Sequence, residues 1–82
     1  MAISQEAFQA LPLLKQISLV SLDGLFLTIR RDGPDLVSLF HLPGGFFAEV
    51  YYNPIIYEIR TFTSWAFLEP YVTHVDLSEL PL

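Results

Sequence analysis

Four side chains in the middle of the chain are of types that chemistry uses: His41, Glu49, Tyr51 and Arg60. Histidine titrates near neutral pH and ligates metals, a carboxylate accepts protons, and a guanidinium holds anions. His41 closes an apolar run just before Pro43-Gly44-Gly45, where it could serve as a general base or a metal ligand. No second ligand stands at a convincing spacing from it, and the ordinary reading is a rim histidine bonded to a loop carbonyl. His74, with Asp76 two residues on, reads as solvated. Glu49 and Arg60, together with Glu58 and Arg30, could line a lane that reads a ligand. The commoner use of such a set is cross-strand pairing on a wet face, worth under ~1 kcal/mol per exposed pair.

Other motifs are silent. Gly44-Gly45 leads into a strand-like run rather than a helix, so it is no phosphate loop. Serines, histidines and acids are present without a nucleophile-elbow setting. No cofactor fingerprint and no metal-ligand pattern is found, and neither a cofactor nor a metal is expected.

Composition narrows the function classes. The 82 residues are 52% hydrophobic and 16% charged, which excludes disorder and predicts one domain spanning residues 1–82. The net charge is −5 with only four Lys and Arg. Phosphate neutralisation needs clustered basic groups, so nucleic acid is not an expected partner. There is no cysteine, hence no disulfide or thiolate chemistry, which fits a cytoplasmic setting. Neither a signal-peptide pattern nor a run of ~20 apolar residues is visible, so no membrane span is expected.

The elements that must position these residues can be read from turns and periodicity. Ser4 can cap a short helix within Ile3–Gln16, and Pro12 cuts it or starts another turn. Ile17–Leu22 admits helix or strand; a strand entering an Asp23-Gly24 hairpin turn is favoured. Leu25–Arg30, Leu36–Leu42, Phe46–Tyr52 and Tyr57–Phe62 read as strands. Thr63 or Ser64 can cap a C-terminal helix over Trp65–Leu68, broken near Pro70, and Val72–Leu82 is left open between strand and turn. The fold class is therefore α+β, with a four- or five-stranded antiparallel meander and short helices at both ends.

Register follows from turn chemistry and pairing. A type II turn at Leu42-Pro43-Gly44-Gly45 pairs Phe40 with Phe47, Ser38 with Glu49 and Val37 with Val50. A four-residue Asn53–Ile56 loop sets Glu49 against Arg60, Val50 against Ile59, Phe47 against Phe62 and Tyr52 against Tyr57. It avoids placing Glu49 opposite Glu58. A five-residue Arg31–Asp35 loop pairs Phe26 with Phe40 and Thr28 with Ser38. Together these put Leu25, Leu27, Ile29, Val37, Leu39, Ala48, Val50, Tyr57 and Ile59 on a core face. Phe26, Phe40, Phe47 and Phe62 then form a row on the opposite, polar face.

That row directs the functional expectation. Base stacking on it is disfavoured by the shortage of basic residues, leaving a second subunit or the chain's own C-terminal segment as its cover. The leading expectation is a non-enzymatic domain that self-associates, a dimer being favoured, or binds a protein partner through Phe26, Phe40, Phe47 and Phe62. A ligand-binding or catalytic site between sheet and helix or between subunits, using His41, Glu49, Tyr51 and Arg60, is the alternative. An acidic inhibitor or antitoxin-like protein engaging a basic partner is the third reading.

Overall fold

Ser4 starts the first helix as its chemistry dictates: its Oγ accepts a hydrogen bond from the Ala7 N–H at 3.1 Å, satisfying one of the first-turn donors. The computed structural model describes residues 2–64, 68, 69 and 71. Its elements run α1 Gln5–Gln9, α2 Leu13–Asp23, β1 Leu25–Asp32, β2 Asp35–Leu42, β3 Phe46–Tyr52 and β4 Ile56–Phe62. The four strands form one antiparallel sheet in the order β1-β2-β3-β4, so the fold is α+β.

Pro12 separates the two helices. Its missing N–H is harmless at a helix start, and its carbonyl accepts from Lys15 and Gln16 at 3.0 Å. The Gln16 side-chain amide donates back to the Phe8 carbonyl at 2.9 Å, tying α2 to α1. Ile17–Leu22 is helical throughout rather than a strand. Ile17, Val20, Ser21 and Gly24 recur at helical spacing, and Val20 is the buried member that meets the sheet. Asp23-Gly24 closes this helix, the Gly24 N–H donating to the Val20 carbonyl at 3.0 Å, and makes no hairpin.

The turns decide the register, and all three loops differ in length from expectation. Between β1 and β2 the loop is Gly33-Pro34, not five residues, and the pairing closes at Asp32 opposite Asp35. Gly33 takes φ +60 ahead of proline, the residue order of a tight II′ hairpin turn. A bulge between Phe26 and Thr28 then shifts the ladder, so Phe26 faces Phe40 as expected while Thr28 faces Leu39 instead of Ser38.

Between β2 and β3 the loop holds three residues, with Leu42 opposite Phe46 and the Gly45 N–H donating to the Leu42 carbonyl at 3.0 Å. Positive φ falls on Gly45, at +86, and not on Gly44. Gly44 is required for a different reason: a Cβ there would stand 1.8 Å from the Ile3 carbonyl oxygen, so the lead-in to α1 crosses directly over it. The extra loop residue slips the pairing by one. Phe40 lies opposite Ala48, His41 opposite Phe47 and Val37 opposite Tyr51.

The third hairpin keeps the expected register. Glu49 faces Arg60, Val50 faces Ile59 and Phe47 faces Phe62. Its loop is one residue shorter than expected, and an irregularity beyond Tyr51 sets Tyr52 opposite Ile56 instead of Tyr57.

A one-residue slip inverts facing, so neither the single core face nor the phenylalanine row exists as expected. Val37 and Leu39 lie on the opposite face from Ala48 and Val50. On the helix side, Phe8 and Val20 pack with Leu42, Phe46, Ala48 and Val50. Gln5 and Gln9 fasten α1 to β4 by side-chain amide bonds to Thr61 Oγ1 at 3.0 and 2.7 Å. On the other side, Leu39, Phe47 and Phe62 pack with Leu68 and Tyr71, and Leu27 from the bulge joins them. Phe26 and Phe40 therefore belong to the helix side and Phe47 and Phe62 to the other.

Leu68, Glu69 and Tyr71 have 3₁₀ conformation. The rest of the expected C-terminal helix, and Val72–Leu82, lie outside the described residues.

Candidate functional site

The polar centre of the molecule lies on the face away from the helices. Strand alternation brings Arg30 from β1 and Glu49 and Tyr51 from β3 to that face, along with Glu58 and Arg60 from β4. Arg30 reaches across β2 to Glu49, Nη2 to Oε2 at 3.2 Å, with 16% and 12% of the two side chains exposed. Tyr71 covers them. Its hydroxyl donates to Glu49 Oε2 at 2.6 Å, and the Arg30 guanidinium lies 5.1 Å from its ring centroid. Asp32 adds a looser contact to Arg30 at 3.8 Å. The Arg30 Nε is buried without a partner among the described residues.

Of the four sequence candidates, Glu49, Tyr51 and Arg60 share this lane. Glu49 and Arg60 face each other in register but do not pair. Arg60 bonds Glu58 Oε2 at 2.6 Å and stacks its guanidinium 4.8 Å from the Tyr51 ring centroid. The reason is cover: 59% of the Arg60 side chain is exposed, while Arg30 is held under the same tyrosine as Glu49. His41 is on this face too, but it packs edge-on against Phe47, ring centroids 5.1 Å apart. Phe47 stands between it and Glu49 in the lane, so the histidine and the carboxylate do not form a working pair.

Tyr71 was not among the candidates, and Arg30 was named only as part of the charged lane with Glu49, Glu58 and Arg60. The signal available for Tyr71 is general: a tyrosine in an apolar stretch needs a partner for its hydroxyl when buried. Nothing local says that the partner is Glu49.

Electrostatically the centre is a matched pair under a phenol. Burial pushes the Tyr71 phenol well above its ordinary value, and the hydrogen bond to Glu49 adds to this. Burial also raises Tyr51, with Glu49 contributing. Tyr57, bonded through its hydroxyl to Asp35, is pushed up to about 12. With its phenol protonated and Glu49 Oε2 accepting from both neighbours, the cluster fixes these side chains in place.

These shifts have a measurable consequence. The native state holds phenolic protons more tightly than the unfolded chain, whose tyrosines titrate near pH ~10. Stability from these groups is then complete below pH ~10 and lost as the pH rises through the native values. Denaturation midpoints should fall steadily from about pH 10 upward, and Tyr71→Phe should flatten that fall. A wild-type midpoint unchanged into strong alkali would contradict the assigned hydrogen bonds.

A second feature lies on the helix side. Ile17, Val20 and Ser21 of α2 and Ser38, Phe40, Val50, Tyr52 and Ile56 of the sheet line an apolar cleft of about 170 Å³. Beside it Phe26 packs edge-on against Phe40, ring centroids 5.5 Å apart.

The chain matches no family model, no curated protein and no solved structure.

Among the described residues no group of three or more His, Cys, Asp or Glu side chains could hold a metal ion. No helix among them is long and apolar enough to cross a membrane.

Proposed function

We propose that this chain is a non-enzymatic protein-binding domain that self-associates, as a dimer, through the helix side of its sheet, in the cytoplasm that a cysteine-free chain suits. The observation that supports the reading is one apolar surface that the chain's own helices leave open. Phe26 and Ile29 on β1 are 54% and 45% exposed, and their cross-strand partners Phe40 and Ser38 line the cleft. Tyr52 on the cleft wall is 45% exposed. Leu14, 78% exposed, precedes Ile17 and Ser21 on one helical stripe, so the surface extends onto α2. Leu14, Phe26, Ile29 and Tyr52 thus leave large apolar side chains in water around one cleft, the kind of surface that a second copy covers. Phe47 and Phe62, by contrast, are covered by Leu68 and Tyr71. The aromatic pair available to a partner is therefore Phe26 with Phe40.

Each copy carries a formal charge of −5, so like charges oppose pairing and screening by salt should strengthen it. Sedimentation equilibrium of the wild type should show a dimer at high micromolar concentration, tighter at higher salt. Phe26→Glu should run as a monomer with an unchanged circular dichroism spectrum. A wild type that remains monomeric at that concentration would overturn self-association.

A further inference from the structure

The face opposite the helices points to a second binding function. We infer that it is a groove for a short peptide segment of the form leucine, two residues, tyrosine, and that the chain occupies this groove with its own Leu68 and Tyr71.

Three observations carry this. First, the two anchors have the anatomy of a docked ligand. Leu68 and Tyr71 are fully buried against Leu39, Phe47 and Phe62, an aliphatic anchor and an aromatic one seated on one apolar floor. The aromatic anchor is also read chemically: its hydroxyl donates to Glu49 and its ring lies beneath Arg30. Glu69 between them faces solvent.

Second, the attachment is through side chains. Among the described residues, no backbone hydrogen bond joins positions 68, 69 or 71 to a strand. Among the described residues, the sheet pairs every strand only with its neighbours in the chain.

Third, the floor is also held from behind. The strands that present Leu39, Phe47 and Phe62 are held from behind by Phe8 and Val20, which pack on the helix side of the same sheet. A floor organised from one side, with Leu68 and Tyr71 seated on the other, has the form of a receptor with its ligand attached. Glu49 and Arg30 set its specificity, because a phenol meets a carboxylate there and a phenyl ring would leave that carboxylate one donor short.

The test uses the full-length chain carrying Leu68→Ala and Tyr71→Ala, which empties the groove, and a fluorescently labelled synthetic peptide of residues 64–74 as probe. Anisotropy should show saturable binding. The same peptide with phenylalanine at the tyrosine position should bind about tenfold or more weakly, the loss expected for a hydrogen bond to a charged group. Should the double variant be unfolded, the peptide should restore its circular dichroism spectrum saturably, with the same dependence on the hydroxyl. Absence of both binding and restoration would overturn the groove. Equal effect of the tyrosine and phenylalanine peptides would overturn recognition by Glu49.

Discussion

Replacing Glu49 by alanine should destabilise the protein by about 3–5 kcal/mol, the range for breaking a covered ion pair from one side. The cost comes from what is left behind. Arg30 keeps its charge under Tyr71 with 16% of its side chain exposed, its Nε is already buried without a partner, and the Tyr71 hydroxyl loses its acceptor. Removing both charges is a different experiment. The double variant Arg30→Met with Glu49→Leu should recover most of the loss, since apolar groups of similar volume need no counter-charge. Urea denaturation of the two singles and the double closes the cycle. A Glu49→Ala cost under ~1 kcal/mol would mean that the pair behaves as a surface salt bridge and that Tyr71 does not cover it.

Phe8→Ala should be comparably severe, about 3–5 kcal/mol, as for other fully buried aromatics truncated to alanine. Phe8 is the one buried residue of α1 and packs against Phe46 with ring centroids 5.4 Å apart. A five-residue helix has no stability of its own in water, so it stays formed only while that side chain is seated. The variant should therefore lose amide protection across Gln5–Gln9 as well as global stability. Leu22→Ala, at a position 80% exposed, should stay within about 0.5 kcal/mol of wild type and serves as the control.

How far the sequence carries depends on what each element rests on. The β3–β4 register was legible because charge pairing rejected the alternative: Glu49 opposite Glu58 is unfavourable, and Glu49 opposite Arg60 is what the ladder shows. The β2–β3 turn was ambiguous by one residue. Pro43-Gly44-Gly45 supplies a flexible residue at two successive positions, and which one takes positive φ decides whether Phe40 shares a face with Phe47. That choice rests on Ile3 crossing over Gly44, a contact with no local signature. In the first hairpin, Gly33 before Pro34 did carry the signature of a tight turn, while the bulge at Leu27 that restores Phe26 to Phe40 did not. Ile17–Leu22 alternates too loosely to separate two periods, and burial of Val20 against the sheet selects the helix. The site shows the same division. Glu49, Tyr51 and Arg60 were placed on one face by strand alternation alone. The pairing of Glu49 with Arg30 under Tyr71 is long-range, and it arises from a cover that strand periodicity does not describe.

The strand order has a consequence for how the molecule is made. Every hairpin closes over a short loop between neighbours in the chain, so sheet formation needs only local encounters and little loop-closure entropy at each step. The two covers arrive from opposite directions along the polypeptide: α1 and α2 are synthesised before the strands they rest on, and Leu68 and Tyr71 after them. With the sheet paired and Phe8 and Val20 packed on its helix side, Leu39, Phe47 and Phe62 still face solvent until Leu68 and Tyr71 dock. At that stage Arg30 and Glu49 meet in water, where their attraction counts for little. Addition of Tyr71 removes that water, so one late residue turns a weak contact into the fastening of the finished face.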